Sequence, residues 1–202
     1  MKSLPLIYKA LFSLILFSAL FFGCIKKEKV PTPKPVGYFR IDFSEPHYIT
    51  WDSLLPFSFE YSDIANFNII KNENQQYWMD LNYPNYNVSL KMSYFPLKND
   101  LRELVLEEEK IINFHIDRRK ADDVEFSFVN DDDAHLYGKI YDIAGKGVAC
   151  PLQFWLTDSS NHYVRASLYF NFSPNNDSLE PIIHYIREDV LQMINTWKWK
   201  NE

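Results

Sequence analysis

The chain has 202 residues, a formal net charge of −6, 47% hydrophobic and 17% aromatic residues, and only five glycines. That size fits one domain with a sizeable core, and the aromatic content argues against disorder. The acidic balance is a poor match for nucleic acid or for anionic lipid faces, so neither is an expected partner.

Lys2 and Lys9 precede an apolar run that ends at Gly23, with Cys24 next. A basic start, a short apolar core and a small residue before the cut describe a secretory signal over residues 1–23. The run is too short for a comfortable bilayer crossing, which needs roughly 20 residues. A cysteine directly after Gly23 makes it a lipoprotein signal, with Cys24 as the lipidation site. The thiol takes a diacylglycerol, and the new N-terminus takes a further acyl chain of the palmitate type. Phe21 stands where leucine is usual, with Leu20 one place early. The competing reading is an uncleaved anchor helix with an incidental cysteine.

Residues 24–36 form a Pro/Lys tether. Pro31, Pro33 and Pro35 favour extended polyproline-like chain. At about 3.1 Å per residue it reaches roughly 35 Å. Lys26, Lys27 and Lys29, beside the anchor, sit near lipid head groups or keep the tether solvated, and the second reading is favoured.

A single globular domain is expected over residues 37–202. Alternating patterns predict strands at 37–43, 48–51, 57–61, 76–83 and 87–94, with turns at 71–76 and at Pro84 and Asn85. The period then changes. Asn99 or Asp100 caps a helix running to about Lys120, with Leu101, Leu104, Val105, Ile111, Ile112 and Ile116 as its inner stripe. Glu107, Glu108 and Glu109 then read as a solvated outer face. Strands resume at 124–129, 135–143, 149–157 and 162–170, with Asp131, Asp132 and Asp133 in a turn. A final helix spans about 178–197, with Ser178 as cap and Pro181 in the first turn. This order gives an α+β fold, an antiparallel sheet with two packed helices. It resembles the Mog1/PsbP-like sandwich in element order.

Chemistry is sparse. Five glycines supply no phosphate loop, and no CxxC, HExxH or GxSxG occurs. No catalytic residue, metal site or cofactor is expected. The acids at 131–133 are adjacent and lack the bend glycine of a calcium loop. With Cys24 lipidated, Cys150 has no partner, and a buried inert thiol is the favoured reading. Residues 153–171 read as a hairpin in which Thr157, Asp158 and Ser159 build an Asx turn or, with Arg165, frame a polar groove; the turn is favoured.

These residues also carry a resemblance. Residues 37–42 after the Pro-Lys-Pro tether, 153–159, 168–171 with Pro174, Asn175, Asp177 and Ser178, and an ending with Asp189, Val190 and Trp197 resemble the gliding-motility lipoprotein GldD family of Bacteroidota. The resemblance implies a non-enzymatic envelope component required for gliding motility and associated with type IX secretion. It carries over one site, Cys24. Residues 62–76 and 122–134 add nothing to it, and Cys150 stands where relatives have a small residue.

Three functional readings follow. The first is a membrane-anchored lipoprotein that contacts other gliding and type IX secretion envelope proteins. Tyr38, Arg40, Asp158 and Arg165 are its candidate contacts, and no small-molecule substrate is expected. The second is a small-ligand or glycan-binding lipoprotein using Trp51, Trp78 and Trp155, which core packing explains more cheaply. The third is a hydrolase built from His162, Asp158 and a serine. Lys26 and Lys27 after the cysteine, rather than acids, lean toward the outer membrane with the domain facing the periplasm. Ile25 rather than aspartate gives no sign of inner-membrane retention.

Overall fold

The computed structural model describes residues 41–53, 55–119, 121–145, 148–171 and 176–200. The signal, Cys24, the tether, Tyr38 and Arg40 lie outside them. The strands are β1 (Tyr48–Asp52), β2 (Phe57–Ser62), β3 (Asn66–Glu73), β4 (Gln76–Tyr83), β5 (Val88–Pro96), β6 (Asp123–Asp131), β7 (Leu136–Ala144), β8 (Leu152–Thr157), β9 (His162–Phe170) and β10 (Lys198–Trp199). Helix α1 spans Leu101–Arg119 and α2 spans Asn176–Asn195.

The α+β class is as expected, with two α-helices and every strand pair antiparallel among the described residues. The strands divide into two sheets rather than one. The smaller runs β1-β2-β10 and the larger β3-β4-β5-β9-β8-β7-β6. Period-two alternation gives the large sheet two distinct faces. One face presents Leu81, Leu90, Leu168, Leu152 and Phe154 to the main core, which α2 closes with Ile186, Val190 and Met193. Trp197 stacks across Phe57 and Phe59, at 4.6 Å and 5.1 Å, and joins the small sheet to that core. The second face is polar and aromatic, and α1 packs over part of it. Ile112 there meets Tyr141, Ile143 and Val148 in a smaller cluster.

Several local expectations are corrected. The strand predicted at 37–43 is not a strand over its described part, residues 41–43. Pro46 has no N–H to offer a ladder, and side chains hold the segment instead. Phe43 stacks on Tyr185 at 4.6 Å, and the Tyr185 hydroxyl donates to the Ser44 carbonyl. The wide turn at 71–76 shrinks to Asn74 and Gln75, whose φ values of 53° and 61° lie in the left-handed region. Two such residues in succession make a tight two-residue hairpin turn. The unpredicted β3 precedes it, with its register broken by a bulge between Ile69 and Lys71. β8 starts at Leu152 rather than 149, after Pro151. Helix α2 begins at Asn176, so Pro181 lies inside it and not in its first turn.

The stripe on α1 is also rotated. Leu101, Leu104, Val105 and Ile111 are only half-buried, while Ile112 is buried. Glu108, assigned to solvent, is 1% exposed. It sits four residues from both Leu104 and Ile112, on the helix row that faces the sheet. The side chain of Ile116 lies outside the described residues.

Candidate functional site

The hairpin between β8 and β9 is organised by Asp158. Its carboxylate accepts the backbone N–H groups of Ser160 (3.0 Å), Asn161 (2.8 Å) and His162 (2.8 Å), and the Ser160 hydroxyl (3.1 Å). Partial burial opposes its ionised form. The donated hydrogen bonds, His162 N–H foremost, outweigh that and hold the carboxyl below its ordinary range. Thr157 completes the turn by donating to the His162 carbonyl at 2.6 Å. The Asx-turn reading is what these bonds build.

The serine, histidine and aspartate meet here without forming a relay. Ser160 donates to Asp158 rather than to a histidine nitrogen. The His162 Nδ1 pairs with the Tyr94 hydroxyl at 2.9 Å, and its ring stacks on Trp199. Asp158 holds the backbone of His162 and not its ring, so the nucleophile–base–orienter order is missing.

Arg165 lies elsewhere. It projects from β9 on the second face toward α1. Its guanidinium is 3.9 Å from Glu107 and 4.0 Å from Glu108, and 5.4 Å from the Phe95 ring centre. Arg165 lines a cleft of about 590 Å³ with Trp78, Glu108 and Gln153. Asp158 lines a separate groove with Tyr94, His162 and Lys200. The two clefts share no lining residue, so the polar groove framed jointly by Asp158 and Arg165 does not form.

The cleft beside α1 holds buried polar groups. Burial pushes Glu108 up to about 7, against the pull of Arg165 and with a push from Glu107. The Glu108 Oε2 and the Gln153 Nε2 have no hydrogen-bond partner among the described residues. Gln153 Oε1 accepts from the Ser167 hydroxyl at 3.5 Å. Nearby on the same face, the Tyr163 and Tyr141 hydroxyls and the Trp155 indole N–H are buried and unpartnered within the same residues. Cys150 is fully buried, and burial pushes its thiol up to about 12, an inert state.

The three tryptophans do not converge. Trp51 packs on Phe67 at 4.6 Å, Trp155 stacks on Tyr163, and Trp78 alone of the three lines the cleft.

The far end of the second face is the edge strand β6, which pairs only with β7 among the described residues. Phe126 and Phe128 are 54% and 74% exposed and meet edge-to-face at 5.5 Å. The Lys139 ammonium sits 4.2 Å from the Phe126 ring centre and pairs with Glu109 at 3.5 Å. Exposed acids flank the two rings along the chain: Asp122 and Asp123 before them, and Asp131, Asp132 and Asp133 after them. Sequence reading passed over this edge. The signal was present in two phenylalanines one residue apart in a strand otherwise rich in polar residues.

The geometry defines an α+β domain of two antiparallel sheets, with a cleft and an exposed aromatic edge on one face. No helix among its described residues is long and apolar enough to cross a membrane. Residues 28–199 match the family model for the gliding motility lipoprotein GldD, and the chain belongs to that family. It is therefore an envelope-associated lipoprotein of the gliding-motility class. The solution structure of cyanobacterial PsbP (CyanoP) from Synechocystis sp. PCC 6803 is similar at 11% identity. That match has a TM-score of 0.45 and covers 82% of this chain and 99% of the other. No curated protein matches the chain.

Proposed function

We propose that the chain is a lipid-anchored, non-enzymatic component of the gliding and type IX secretion apparatus that works through protein contacts. Cys24 carries the anchor, and the tether holds the domain on the periplasmic side of the outer membrane. The observation that carries the contact reading is the β6 edge. Edge strands are normally blunted by lysine, proline or a covering element, because an open edge is a template for another strand. Among the described residues, β6 presents two exposed phenylalanines on a nine-residue edge strand that has no strand on its outer side. Aromatic side chains of this kind anchor protein interfaces. The exposed acids at both ends of β6 favour a partner surface with basic residues. Asp158 serves this role indirectly, by shaping its hairpin. Arg165 is engaged with α1, and Tyr38 and Arg40 remain proposed contacts at the tether junction.

Deletion of the gene tests the reading. Loss of colony spreading together with loss of adhesin secretion is the expected phenotype. Normal spreading with normal secretion would overturn it.

A further inference from the structure

Resting on the contact reading of β6, we infer that this strand takes an extended partner segment, alternating basic and apolar residues, as a further antiparallel strand of the large sheet. Backbone hydrogen bonds set which groups are open. The Ile143 N–H donates to the Pro151 carbonyl at 2.8 Å, so Ile143 and its alternates in β7 turn their backbone groups toward β8. The residues between them face β6 and lie opposite Asp123, Glu125, Ser127, Val129 and Asp131. The backbone N–H and C=O groups of Val124, Phe126, Phe128 and Asn130 therefore point away from β7, along the outer edge. The Asp123 carboxylate accepts the Val124 N–H at 2.9 Å. The other backbone groups of these residues form a ready ladder, and no strand covers them among the described residues. The opposite edge of the sheet, β3, is interrupted by the bulge between Ile69 and Lys71, a device that spoils strand addition. β6 pairs with β7 in unbroken register and contains no proline.

Side-chain alternation sets the partner's chemistry. Phe126 and Phe128 share one face with Val124 and Asn130, while Asp123, Glu125 and Asp131 share the other, and these acids are exposed. A strand added beside β6 meets aromatic rings on one face and carboxylates on the other, and complementary cross-strand pairs are stabilising. Apolar residues belong on the ring face. The Lys139 ammonium already lies 4.2 Å from the Phe126 ring centre, and a second cation there is repelled. Lysine or arginine belongs on the other face. The acids there occupy the non-hydrogen-bonded positions of the new pair, where facing side chains come closest. Arg187 of α2 is committed to Asp142 through hydrogen bonds at 2.8 Å and 3.0 Å, with Glu125 the weakest of its acidic neighbours. It therefore neutralises Asp142 rather than the acids of β6. A second copy of the chain is disfavoured by the same charges. Antiparallel pairing of two β6 strands centred on Ser127 sets Asp123 opposite Asp131 at both ends, and like charges directly opposite destabilise a pair.

The test is fluorescence anisotropy of labelled peptides titrated with the full-length lipoprotein in lauryldimethylamine oxide micelles. The parent peptide alternates lysine and valine over the length of β6. Its relatives are a block peptide of the same composition, a glutamate–valine alternate, and forms N-methylated at every valine or at every lysine. With the valines against the rings, their N–H groups join the ladder and the lysine N–H groups point outward. Saturable binding of the parent is expected. The block, glutamate and valine-methylated peptides should bind roughly tenfold or more weakly, and the lysine-methylated form should keep its affinity. Asn130→Pro removes an outward N–H without touching the β6–β7 ladder and should weaken the parent by roughly tenfold. Glu125→Lys should also weaken the parent and improve the glutamate alternate, and it decides if near-UV circular dichroism shows Asn130→Pro misfolded. No saturable binding of the parent up to about 1 mM would overturn the inference, as would equal binding of the block peptide. Dimerisation of the wild type that Asn130→Pro abolishes would assign the edge to a second copy and overturn it too. Equal binding of the valine-methylated peptide, lost with Phe126→Ser and Phe128→Ser, would refute strand addition while leaving the contact reading intact. Alternation-dependent binding with normal spreading of that doubly substituted strain would refute the contact reading and leave strand addition standing.

Discussion

Replacing Glu108 by glutamine isolates the cost of one buried carboxyl. Burial carries Glu108 from its ordinary 4.5 up to about 7. That gap corresponds to about 3 kcal/mol of preference for the neutral form. An acid with a raised folded value keeps its proton in the folded state after losing it in the unfolded one. Stability therefore falls as pH rises from the unfolded value through the folded value, and the full penalty is present above both. Glutamine has the same shape and never ionises. Glu108→Gln should match the wild type near about pH 4 and exceed it by about 3 kcal/mol near about pH 8. Urea unfolding of both proteins across that range measures the difference directly. Other groups, including the buried Asp189, titrate in both proteins and cancel. A variant no more stable at high pH, or a difference that does not change with pH, would refute the burial of this carboxyl.

Three further outcomes follow from the geometry. Asp158→Ala removes the acceptor that closes the β8–β9 hairpin and should destabilise the fold by about 1–3 kcal/mol, measured by the urea midpoint. Because the folded value of Asp158 is depressed, its contribution is present above its ordinary 3.8 and fades as pH falls through the depressed value. The two proteins should therefore converge in stability in acid. Trp197→Ala deletes the ring stacked across Phe57 and Phe59 and should cost about 3–5 kcal/mol, read by thermal unfolding. Cys24→Ser should move the protein from the membrane fraction to the soluble envelope fraction, followed by fractionation and blotting; a protein still in membranes would point to the uncleaved anchor helix.

Elements with a clean period were legible in the sequence, and those bent by context were not. β5 alternates cleanly because its core face and polar face take different residues, and the structure keeps that register. β3 hid because asparagines and a bulge interrupt its alternation, and because its turn needs only two left-handed residues. The division into two sheets depends on which strands meet, and that is decided by α2 and Trp197 joining segments far apart in the chain. The Asp158 turn was readable because all its bonds are local. Glu108 was not, since a run of three glutamates looks solvated until the helix is docked and its row set by Leu104 and Ile112. Arg165 was visible as a polar residue in a strand, but its partners on α1 come from tertiary packing.

The most direct test of the contact reading is a photo-crosslinking phenylalanine analogue at position 128 in living cells. The exposed His184 on α2 provides the control position. Illumination should give a discrete adduct with an envelope protein from position 128 and none from position 184. Phe126→Ser with Phe128→Ser should abolish spreading at normal lipoprotein levels. Absence of an adduct at 128, with the doubly substituted strain spreading normally, would contradict the account.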